Sequence, residues 1–127
     1  MKKLINIFVM LCLIIALFLG VKDLFVPTEM APLYGLELKG VLAFNTFRAV
    51  ISGTILSIAL MLIMGLFTKN KTWYQATLLL TAVILFCRTY SIILDGYTSE
   101  MLAPIVIEVL ILVVMYFAIK QLSASEK

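Results

Sequence analysis

Four apolar runs divide the chain, at residues 4–21, 41–67, 73–94 and 102–119. Each is close to or above the ~18 to 20 residues that cross a hydrocarbon core. Within them apolar residues occupy every side rather than alternating with a polar face, which argues for helices surrounded by lipid and against a water-soluble bundle. The predicted architecture is all-α: an integral membrane four-helix bundle, up-down-up-down, forming a single domain over residues 1–127. The stretch Thr68-Lys69-Asn70-Lys71-Thr72 is a short polar turn that makes the second and third helices antiparallel neighbours, with Trp73 and Tyr74 at the interface. Asp95-Gly96 ends the third helix, Tyr97 anchors, and Thr98 or Ser99 is placed to cap the fourth, whose first turn tolerates Pro104.

The connection at 22–40 is longer and half apolar, with Leu24, Phe25, Val26, Met30, Leu33, Tyr34, Leu36 and Leu38, so it is expected to lie on the membrane. Thr28 is placed to cap a brief helical turn that begins at Glu29 and stops at Gly35, where glycine supplies the left-handed conformation of a helix end. A lid over the helix ends and a plain interfacial connector both fit this loop.

Composition changes the picture little: 64% hydrophobic and 13% charged residues leave too little polar surface to cover a soluble globule of 127 residues. Charge placement adds more. Lys2, Lys3, Lys69, Lys71, Lys120 and Lys127 fall on one side of the membrane and only Lys22 and Lys39 on the other, which by the positive-inside rule predicts both termini in the cytoplasm. No basic stripe remains for nucleic acid once these anchors are placed. Histidine is absent, which removes bis-histidine haem, histidine-ligated zinc and the usual proton shuttle. Cys12 and Cys87 each lie inside an apolar run without a Cys-x-x-Cys pair and are expected to be buried spectators. No metal and no cofactor is expected. The first run follows Met1-Lys2-Lys3 as a signal peptide would, but it lacks a small-x-small cleavage site and a lipoprotein box before Cys12. It is expected to be a retained helix on the outside of the bundle, with Asn6 and Cys12 as its polar features.

The candidate chemistry is a set of charges inside these runs. In the second run Ala49, Gly53 and Ser57 recur every four residues, a small-residue seam for helix packing that Asn45 continues, with Arg48 three residues from it. Both polar residues are expected to face the packed side. In the third run Thr77, Thr81, Arg88, Ser91 and Asp95 share one helical face, and Glu108 stands alone in the fourth. Arg48, Arg88 and Glu108 each lie about six residues from the same end of their helices, a depth of ~9 Å. An unpaired charge at the helix centre costs about 3 kcal/mol on an insertion scale, so the three are expected to form one cluster, with Glu108 ionised between the arginines. Two arginines against one glutamate leave an excess positive charge, for Asp95 or a bound anion to balance.

These residues resemble a bacterial membrane family known as domain of unknown function 4345, with a distant likeness to DoxX-type membrane proteins. The matching pieces are Asn45-x-x-Arg48-Ala49 with Gly53, Arg88-x-x-Ser91 with Asp95-Gly96, Glu108, and the loop ending Leu33-Tyr34-Gly35-Leu36. The resemblance implies a four-helix fold in a bacterial inner membrane and supplies no activity; the DoxX likeness implies an accessory role beside membrane redox enzymes. Taken with the residues themselves, two function classes lead. One is a module binding a small anion or anionic lipid headgroup through Asn45, Arg48, Arg88, Ser91, Asp95 and Glu108. The other is a structural or accessory subunit in which this cluster locks helix register, as a homo-oligomer or beside a membrane protein partner. An intramembrane enzyme is disfavoured, since no nucleophile is paired to a base and Glu108 is the one deep candidate acid. A transporter of four helices needs an oligomer.

Overall fold

The computed structural model describes residues 2–125; Met1, Glu126 and Lys127, the last of them counted above among the cytoplasmic lysines, lie outside the described residues. Four helices are long and apolar enough to cross a membrane: α1 (Lys2–Phe25), α2 (Gly40–Thr68), α3 (Lys71–Asp95) and α4 (Leu102–Ser125). They pack as a closed ring in which α1 touches α2, α2 touches α3, α3 touches α4 and α4 returns to α1, so α2 and α4 stand diagonally opposed. The start of α1, the end of α4 and the turn at Lys69 and Asn70 lie at one end of the bundle, here the terminal end. The long connection and the turn at Gly96 lie at the other, the loop end.

Each turn has a local cause. Lys69 takes the left-handed conformation that stops α2, and the Asn70 side chain then accepts from the Thr72 amide to cap α3. Gly96, with φ of 93°, ends α3. The long connection holds a one-turn helix at Pro27–Met30 and a 3₁₀ turn at Ala31–Tyr34 that ends on left-handed Gly35. Thr28 does not cap it: the turn starts on Pro27, two residues before Glu29, and the missing N–H of proline suits a first helical position.

The main core lies between α1, α2 and α4, around Val9, Cys12, Leu13, Ala16, Ala59, Leu62, Met115 and Ala118, with Tyr74 reaching in from α3. Two findings correct the sequence expectation. The first helix is not peripheral, since its small residues let it seat deeply: a Cβ on Gly20 would stand 2.8 Å from the Leu56 side chain. The least buried helix is instead α3, whose Cys87 is exposed rather than buried. Tyr74, at the start of α3, turns its ring into the bundle rather than outward, into the space a side chain on Gly65 would need. A second, small core forms at the loop end, where Met30 and Ala31 of the connection cover Phe47 of α2.

Candidate functional site

The loop end carries nearly all the buried charge, and it divides into two sites rather than one. Arg88 and Glu108 meet across the α3–α4 contact. Nε of Arg88 donates to both carboxylate oxygens at 3.1 Å, and Nη2 donates to Oε1 at 2.8 Å. The side chains are 32% and 11% exposed, so this is a largely desolvated, charge-assisted fork. One helical turn further along α3, Ser91 donates to Asp95 at 2.9 Å. Asp95 therefore has a neutral partner at the bundle end rather than the second arginine.

Arg48 stands elsewhere. Its Nε donates to the carbonyl oxygen of Leu24 at 3.0 Å, and its guanidinium carbon lies 5.9 Å from the centre of the Phe44 ring. Leu24 is in the last turn of α1, where carbonyls lack intrahelical partners and the helix dipole is negative, so Arg48 acts as a cationic cap on α1. Among the described residues no ion pair joins it to Glu108 or Asp95. Equal depth brought the three charges to one level, but α2 is diagonal to α4, and the stretch Phe47–Ser52 packs on α1 instead. The single three-charge cluster is thus corrected to one ion pair and one capping arginine.

That stretch is a π-turn, a local i→i+5 winding inside α2. One extra residue per turn rotates the helix that follows and shifts which side chains face inward. Phe47 and Ser52 are buried, while Asn45, Arg48 and Ala49 face outward. The small-residue stripe faces outward with them: Ala49 and Ser57 are exposed, and a Cβ on Gly53 would meet nothing nearer than the Arg48 carbonyl at 3.9 Å. The expected inward seam is therefore an open face in this chain. Thr77 bonds back to the Trp73 carbonyl at 3.0 Å, the ordinary resting place of a membrane threonine.

An open groove of ≈ 420 Å³ runs between the end of α1 and the start of α2, lined by Leu24, Val41, Phe44, Asn45, Arg48 and Ala49. It combines one guanidinium and one amide with apolar walls. Beside it lies a residue the sequence reading passed over. Asp23 is 0% exposed and accepts from the Tyr34 hydroxyl at 3.2 and 3.0 Å on its two oxygens. Burial first, and then the charge and hydrogen bond of Asp23, push the Tyr34 hydroxyl well above the usual tyrosine range, so it stays a donor. Tyr34 also packs on Phe47, with ring centres 6.0 Å apart. The signal available in the sequence was that Leu24-Phe25-Val26 resumes the apolar run directly after Asp23. Among the described residues no group of three or more His, Cys, Asp or Glu side chains is placed to hold a metal ion.

A family model described as a domain of unknown function (DUF4345) matches residues 4–119. No curated protein and no solved structure matches the chain.

Proposed function

The chain belongs to the DUF4345 family of membrane domains, and from its charge arrangement we propose that it is a small multi-pass membrane protein that binds an anionic lipid headgroup at the Arg48 groove. The observation that carries this reading is an asymmetry between the two arginines. Arg88 is neutralised by Glu108, whereas Arg48 has one neutral bond to the Leu24 carbonyl and opens on a groove with Asn45 beside it. Arginine keeps its proton, so its charge at the edge of an apolar layer favours an anion. Leu24, Val41 and Phe44 give that anion an apolar wall, which suits a phosphate attached to an acyl chain better than a free ion. The lysine bias supports an outer-leaflet position for this groove.

The test is a titration of the purified full-length protein in nanodiscs of neutral lipid with phosphatidylglycerol, read as a rise in melting temperature, with inorganic phosphate in parallel. The expected result is a saturable rise with the lipid that Arg48→Gln removes and Arg88→Gln retains. A rise with inorganic phosphate alone identifies a free-anion site. A response that survives Arg48→Gln overturns the proposal.

A second reading is favoured by the outward Ala49, Gly53 and Ser57 stripe, which is shaped for a partner helix. In it the chain is a structural or accessory subunit, the Arg88–Glu108 pair fixes α3 against α4, and Arg48 caps α1. It predicts a flat lipid titration and co-purification with a membrane partner or a second copy.

A further inference from the structure

Asp23 is a fully buried carboxylate whose single partner among the described residues is a neutral hydroxyl. Moving an ionised carboxylate out of water without a counter-charge costs several kcal/mol, and one neutral donor offsets only part of that. The charged groups on the neighbouring elements are engaged elsewhere. Lys22 lies over the Phe18 ring at 5.4 Å, Arg48 caps Leu24, Glu108 holds Arg88, and Glu29 of the one-turn helix is exposed. The final turn of α1 adds its own partial negative charge at this place.

The register of the α1–α2 contact brings Ser52 to the level of Asp23. Two contacts bracket them on these antiparallel helices: Gly20 lies against Ile55 and Leu56, and the Leu24 carbonyl meets Arg48. Asp23 and Ser52 fall on the facing turns between, and Ser52 is 0% exposed with an Oγ that has no hydrogen-bond partner. Ser52 also closes the π-turn, a winding frequent at functional sites.

We infer that Asp23 and Ser52 form a binding site for one monovalent cation between α1 and α2, covered by the loop that carries Tyr34. A single carboxylate balances a single positive charge; a divalent ion would leave an excess charge in the apolar layer. The groups that Asp23, Ser52 and Tyr34 bring are hard oxygens, one carboxylate and two hydroxyls, the ligand class suited to an alkali ion or a proton. This site is independent of the headgroup reading, since it uses the buried side of the α1–α2 contact and Arg48 faces the other way.

The experiment uses the full-length protein in neutral-lipid nanodiscs. Melting temperature is measured against sodium chloride at mildly alkaline pH, with choline chloride holding ionic strength constant, and separately against pH in choline chloride. The expected result is a saturable rise in one arm, sodium identifying an alkali ion and acidification identifying a proton. Asp23→Asn, which keeps the shape and removes the charge, should abolish it. Ser52→Ala should move the midpoint about two- to tenfold toward higher sodium, or correspondingly toward lower pH. A response retained in Asp23→Asn, or none in either arm for the unmodified protein, overturns the site. If Asp23→Asn does not accumulate, Ser52→Ala decides, and an unchanged midpoint overturns it.

Discussion

Arg88 on α3 grips Glu108 on α4 with Nε shared between both carboxylate oxygens and Nη2 on one of them, while Arg48 is bonded to the end of a different helix. The two arginines therefore respond differently when Glu108 is changed. Glu108→Gln should destabilise the protein by about 1–3 kcal/mol, below the range for a fully buried pair because Arg88 is a third exposed. Arg88→Gln in the same chain should recover part of that loss. Arg48→Gln combined with Glu108→Gln should be additive, since the residues share no partner. A double-mutant cycle on thermal unfolding in detergent measures both; coupling between Arg48 and Glu108 would restore the single cluster.

Tyr34 gives the loop end a pH dependence of known sign. The folded hydroxyl holds its proton above the range where an unfolded tyrosine, near pH ~10, releases it. The stability it contributes is fully present below pH ~10 and is lost as pH rises from there. Tyr34→Phe should remove that part of the alkaline slope. It should also cost about 1–3 kcal/mol at neutral pH by leaving Asp23 without a donor, and Asp23→Asn in the same chain should lessen the cost. Equal alkaline slopes in the two proteins would mean that folding does not hold the Tyr34 proton.

Much of this was legible in the residues, and the misses have physical causes. Hydropathy alone located the four helices, because lipid demands long apolar runs. Counting residues from the helix ends found the depth at which Arg88 meets Glu108. Depth is one coordinate of a position on a helix, and rotation about the axis is the other. The π-turn at Phe47–Ser52 shifts that rotation, so the expected faces of Arg48, Ala49, Gly53 and Ser57 pointed inward where the chain turns them outward. Asp23 was counted as loop because a charge ends an apolar run on a hydropathy plot. The helix continues to Phe25 since Tyr34, folding back from the connection, gives that carboxylate a donor.

Orientation rests on lysine placement and is open to direct test. In a chain with Cys12 and Cys87 replaced by serine, single substitutions Leu33→Cys and Tyr97→Cys should react with a membrane-impermeant maleimide added outside the cell, and Asn70→Cys should not. Leu33 and Tyr97 are exposed at the loop end and Asn70 at the terminal end, so accessibility is not limited by the fold. The reverse labelling pattern would put the Arg48 groove on the cytoplasmic side, and the headgroup it meets would then belong to the inner leaflet.

Three glycines separate packing inside the chain from packing against something else. A Cβ on Gly20 would press on Leu56 at 2.8 Å, and one on Gly65 would enter the Tyr74 ring, so Gly20→Ala and Gly65→Ala should each destabilise by about 1–3 kcal/mol. Gly53, though it sits in the small-residue stripe, has open space before it, and alanine is the better helix former there by up to about 1 kcal/mol. Gly53→Ala should therefore leave the melting temperature in dilute detergent unchanged or raise it. Gly53→Leu should also be tolerated by the isolated chain, because the added side chain projects outward. If the stripe receives a partner helix, Gly53→Leu should instead reduce cross-linking or co-purification in membranes while the purified monomer stays folded. Equal cross-linking in the two proteins would assign that face to lipid, and a strongly destabilised Gly53→Ala would return it to the interior of the bundle.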